Sequence, residues 1–182
     1  MGLLDSLFSA GGGQAVSELS RRFGISEDQA RSAISALAPA IGGGIKRNAS
    51  SQEGADTLMR ELTSGRHQEY VDDPSRLSRD ETVQEGNGIL GQLFGSKDVS
   101  RQVAKRASGQ TGLSEDLLKR MLPLVATMVM GSLSRQASAS GIQNQQDAQG
   151  GLFGMLSSLL DSDRDGSVLD DIMGFASRFG KR

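Results

Sequence analysis

Cysteine and tryptophan are absent from this chain of 182 residues, and there is one tyrosine and one histidine. Without thiols there are no disulfides, no thiolate metal sites and no cysteine nucleophile. The single histidine, His67, has no second imidazole and no nucleophile constellation beside it, so a surface or capping role is expected of it. Aromatics make up only 4% of the chain, which points to modest helical cores rather than large aromatic ones. No charge sign dominates: 20 basic residues face 22 acidic ones, a net charge of −2. That balance leaves no polybasic surface and disfavours nucleic acid as a partner. The opening MGLLDSLF has neither a basic segment nor a long apolar core, unlike a secretory signal. The longest apolar run, Met121 to Met130, is interrupted by Pro123 and Thr127 and is too short to cross a bilayer. The expectation is therefore a protein with no transmembrane segment and a cytoplasmic location.

Against these absences stand 24 glycines and an internal echo. The stretch from Gly24 to Arg47, GISEDQARSAISALAPAIGGGIKR, returns altered from Gly112 to Arg135 as GLSEDLLKRMLPLVATMVMGSLSR, 88 residues later. Ala30, Ile34, Leu37, Ile41 and Ile45 fall on Leu118, Leu122, Val125, Val129 and Leu133, the spacing of one helix face in both copies. Ser26 and Ser114 stand as N-caps, with acidic pairs behind them that suit the positive helix end. Gln29 completes a capping box in the first copy. Gly24 fits a helix C-cap with positive φ. Pro39 and Pro123 lie inside these helices at non-equivalent positions and should bend or break them. Where the first copy carries Ala33, Ala36 and Ala40, the second carries Met121, Leu124 and Met128. A small face and a bulky face suit packing on one another and motivate a self-associating reading.

The fold class expected is all-α: two related multi-helix repeats followed by a C-terminal helix-loop-helix tail. The divisions fall at residues 1–65 (first repeat), 66–85 (polar connection), 86–135 (second repeat), 136–150 (linker or frayed helix extension) and 151–182 (tail). Short apolar segments GLLDSLF, GILGQLF and GLFGML recur and should dock on the longer helices, since none is long enough to hold a helix alone.

The sharpest chemical pattern lies in the tail. Asp161, Asp163 and Asp165 occupy alternate loop positions, Gly166 follows for the turn, and Ser167 offers a carbonyl. Hard oxygen ligands so spaced can wrap calcium. The position that should supply a bidentate glutamate is Ile172, with Asp171 one residue early as the substitute. The bland alternative is an acidic loop opening a helix, with Ser167 as its cap. A second pattern, VSELSRRFGISEDQARSAI, has helix-turn-helix spacing with Arg21 and Arg22 nearby. Its second helix opens with Ser26, Glu27, Asp28 and Gln29, which would set carboxylates against phosphate. Lys105, Arg106, Lys119 and Arg120 only partly offset the same acidic start in the second copy. The carboxylate pairs at 27–28, 72–73 and 170–171 are sequence neighbours, which diverge on a helix and do not form a converging acid–base pair. No catalytic residue is assigned and a non-enzyme is expected.

GLLDSLF, the Gly24–Arg47 stretch, and DETVQEGNGILGQLFGSKDVSRQVAKRASGQTGLSEDLLKRMLPLV together resemble a bacterial family catalogued as domain of unknown function 937. The resemblance covers roughly residues 1 to 135 and is sharpest at GNGILGQLFGSKDVS. It implies an all-helical bacterial protein and carries no activity, ligand or catalytic residue with it. The reading reached is a non-enzymatic helical interaction or structural protein, with a protein partner that includes a second copy of itself. The alternatives are a calcium-binding module and a helix-turn-helix DNA binder.

Overall fold

The computed structural model describes residues 7–8, 12–64 and 66–139. Among them lie seven α-helices and no strand: α1 (Gly12–Phe23), α2 (Glu27–Ala49), α3 (Gln52–Thr63), α4 (Glu69–Asp72), α5 (Asp80–Phe94), α6 (Lys97–Thr111) and α7 (Glu115–Ala139). A 3-10 turn at Pro74–Ser78 joins α4 to α5.

Short-range chemistry sets the helix ends. At α2, Gln29 N–H donates to Ser26 Oγ at 3.1 Å and Ser26 N–H donates to Gln29 Oε1 at 3.0 Å, a reciprocal capping box. Ser51, Ser96 and Ser114 cap α3, α6 and α7 through their hydroxyl oxygens. Gly24 (φ 64°) and Gly112 (φ 72°) turn the chain between α1 and α2 and between α6 and α7. A side chain at that φ would be strained, which is why glycine stands at both corners. Each corner is locked by a serine: Ser20 Oγ donates to the Ile25 carbonyl at 2.5 Å, and Ser108 Oγ donates to the Leu113 carbonyl at 2.6 Å.

The core is wrapped around α7. Helices α2, α3, α4, α5 and α6 all pack against it. No residue from Met121 to Ser134 is exposed, so this helix is buried on every side. By length and composition alone α7 could cross a membrane, but most of its apolar stretch is covered by the protein itself. Leu118, Leu122, Leu124 and Leu133 are essentially fully buried, each worth about 1.5–3 kcal/mol of transfer free energy. Two buried hydroxyls of this helix find backbone partners: Thr127 Oγ1 donates to the Leu124 carbonyl at 2.8 Å, and Ser134 Oγ to the Leu62 carbonyl at 2.5 Å. A buried hydroxyl without such a partner would be costly.

Several expectations change against this frame. Neither proline breaks its helix: α2 runs through Pro39 and α7 through Pro123. One missing hydrogen bond is outweighed in α7 by the continuous burial from Met121 to Ser134. The polar stretch 66–85 is largely structured, with α4, the 3-10 turn and the first residues of α5 inside it. Asp73 starts the turn by accepting from Ser75 N–H at 3.3 Å, with Pro74 in the first position. Tyr70, Leu77 and Thr82 anchor the segment in the core. Finally, α7 continues to Ala139 with Ala137 buried, so residues 136–139 extend the helix. The remainder of the 136–150 segment and the whole 151–182 tail lie outside the described residues.

Candidate functional site

Two places gather polar chemistry. The first is a buried belt where α3, α4 and α5 meet α7. The chain leaves α3 through His67, which is only 2% exposed. Its surface or capping role is therefore corrected: the backbone at His67 sits so close to Gly131 that a Cβ there would lie 2.4 Å from the His67 carbonyl oxygen. The glycine in α7 is what lets this loop descend. His67 Nε2 meets Glu61 Oε2 at 3.0 Å, while Nδ1 is buried without a partner. The imidazole thus packs against the Glu61 carboxylate through one ring nitrogen, with the other unpartnered.

Beside it, Tyr70 OH donates to the Glu85 carboxylate. Burial, then the bond to Glu85 and its negative charge, push the phenol up to about 12. Thr82 Oγ1 donates to the Arg76 carbonyl at 2.6 Å, and Arg76 pairs with Glu69. Arg22 reaches across from α1 to the Leu77 carbonyl at 2.7 Å and to Asp80 at 3.3 Å. These bonds fasten the 66–85 segment to the core.

The second place is an open groove of about 530 Å³ at the corner between α5 and α6, bordered by Asn87, Ser96, Lys97, Arg101 and Lys119 over Leu90 and Leu122. Its cations are largely neutralised. Arg101 pairs with Asp98 at 2.9 Å and Lys119 with Glu115 at 2.8 Å. The Glu115 carboxylate, through its hydrogen bond, holds the Lys119 ammonium above its usual range.

The helix-turn-helix elements have other employment. Arg21 pairs with Glu18 at 3.3 Å, Arg22 is tied to the 66–85 segment, and Arg120 lies over the Phe23 ring at 5.4 Å. Helix α7, which would be the reading helix of the second copy, is the core of the fold. Of the contrasting faces, Met121, Leu124 and Met128 are buried, as is Ala33, while Ala36 and Ala40 are half-buried. The calcium candidates Asp161, Asp163, Asp165, Ser167 and Asp171 lie outside the described residues. Among the described residues no three His, Asp or Glu side chains gather as a metal cage.

The fold defines an all-α protein built around one helix, α7, that is buried on all sides from Met121 to Ser134. The chain belongs to a bacterial family of proteins of unknown function, DUF937, whose model matches residues 5–136. No curated protein and no solved structure matches it.

Sequence reasoning missed the belt. The signal that could have found it is Gly131, a helix-interior glycine directly after the apolar run Met128 to Met130, since such glycines mark close backbone approach.

Proposed function

We propose that the protein acts by binding rather than catalysis, as a scaffold of two related helical units that associates with itself. The observation that supports this is the correspondence between α1–α2 and α6–α7 at an offset of 88 residues. Ser20–Ile25 and Ser108–Leu113 make the same side-chain lock, and Gly24 and Gly112 take the same φ. Ala30, Ile34, Leu37, Ile41 and Ile45 are buried in α2, and so are Leu118, Leu122, Val125, Val129 and Leu133 in α7. Related helical units bury their cores against one another and leave their outer faces to partners. Light scattering on the size-fractionated full chain across a concentration series tests the reading. A mass that rises with concentration is expected, and a constant monomer mass would end the self-association proposal.

A calcium-responsive role for the 161–171 loop rests on its alternating aspartates and Gly166 alone. DNA binding finds less support, since α7 gives its faces to the core and α2 opens on Glu27 and Asp28.

A further inference from the structure

We infer that the outward face of α2 is the surface on which a second copy docks, with the two α2 helices antiparallel about a two-fold axis. The inference rests on the self-association reading above and adds where the contact is made.

Ser32, Ala36, Pro39, Ala40 and Gly43 share the side of α2 turned away from Ile34, Leu37 and Ile41. Ser32, Pro39 and Gly43 are exposed, and a Cβ on Gly43 would meet nothing within 4 Å. The positions 88 residues later tell the opposite story. Arg120 is exposed, but Leu124, Thr127, Met128 and Gly131 are all buried. There the chain itself docks: the His67 backbone covers Gly131, where a Cβ would lie 2.4 Å from the His67 carbonyl oxygen. The position that receives backbone in α7 is open in α2: Gly43, the counterpart of Gly131, has nothing within 4 Å of a Cβ, while Ala36 and Ala40 beside it are half-buried.

Charge names the occupant and its direction. Asp28 is exposed at the start of this face and Arg47 at its end. Two parallel α2 helices would set Asp28 against Asp28 and Arg47 against Arg47. Antiparallel helices set Asp28 against Arg47 of the second copy at both ends. The same register, centred between Leu37 and Ala38, places Ser32 opposite Gly43 and Ala36 opposite Pro39. One patch thus complements itself in shape and in charge, as a two-fold contact requires. Small side chains along the middle allow close approach, and the charged ends fix the register.

The absence of cysteine makes the test direct. In this register two copies of residue 36 are offset along the helix axis by about 4.5 Å, and two copies of residue 32 by about 16 Å. Only the first is within disulfide reach. Under mild oxidation A36C should form a covalent dimer, S32C should not, and the double variant S32C/G43C should. Separately, R47D should weaken association about tenfold, and D28R/R47D should return it to near the original strength. If the unaltered chain dimerises by light scattering while A36C stays uncrosslinked and R47D changes nothing, this face is wrong and self-association stands. If the unaltered chain is monomeric throughout, both fall.

Discussion

Gly86 and Gly88 sit two residues apart in α5, and the structure gives them opposite fates on substitution by alanine. Both glycines are unfavourable in a helix, and alanine in place of either should add about 0.8–1 kcal/mol of helix stability. At Gly88 a Cβ meets nothing within 4 Å, so that gain stands alone. At Gly86 the same atom would lie 2.2 Å from the Pro123 carbonyl oxygen and 2.6 Å from its carbon. Those atoms belong to the backbone of the buried α7, which cannot yield as a side-chain tip would. Forcing two packed helices apart costs about 1–3 kcal/mol, and the upper part of that range applies where both sides are backbone. The net expectation is a loss of about 1–2 kcal/mol for Gly86→Ala and a gain of just under about 1 kcal/mol for Gly88→Ala. Thermal unfolding followed by circular dichroism should show the midpoint falling by about 3–8 °C in the first and rising by about 2–4 °C in the second. If both variants moved the same way, the close crossing of α5 over α7 would be wrong.

Three further outcomes follow. Tyr70 is the only tyrosine, and no tryptophan obscures it. Tyrosinate absorbance should therefore titrate near 12 in the folded protein and near the ordinary value of 10 in denaturant. Because the folded value is the higher one, its contribution to stability is intact below pH 10 and is lost as the pH rises towards about 12; a folded midpoint at 10 would contradict the buried link to Glu85. Ser20→Ala and Ser108→Ala should each cost about 1 kcal/mol in denaturant unfolding, with additive effects in the double variant; a large cost in one and none in the other would separate the two corners. Calorimetric titration with calcium should give heat that D163N abolishes if the 161–171 loop is a site, and the absence of heat at about millimolar calcium removes that reading.

The parts of the fold that were legible in the sequence are those set within a few residues. The stripes of α2 and α7, the Ser26 capping box and the Gly24 corner all express local chemistry, and each is present as read. What was not legible depends on partners far along the chain. The 66–85 stretch reads as polar because its anchors, Tyr70, Leu77 and Thr82, are few among many polar residues and are held from a distance, as when Arg22 binds the Leu77 carbonyl. His67 reads as a surface residue because nothing beside it in sequence announces Glu61 on one side and Gly131 beneath. The burial of α7 on all sides from Met121 to Ser134 is hidden by Thr127, Ser132 and Ser134, polar residues outside its apolar stripe. Two of them are accommodated because their hydroxyls return to backbone carbonyls.

The central claim, a scaffold that acts by associating with itself, is tested most directly by the mass of the intact chain in solution. Light scattering should be read from about 10 μM to about 500 μM, the range in which a contact as small as one helix pair associates. The account predicts a mass that climbs from 19.2 kDa towards twice that value. A mass that stays at 19.2 kDa across the whole range would contradict it.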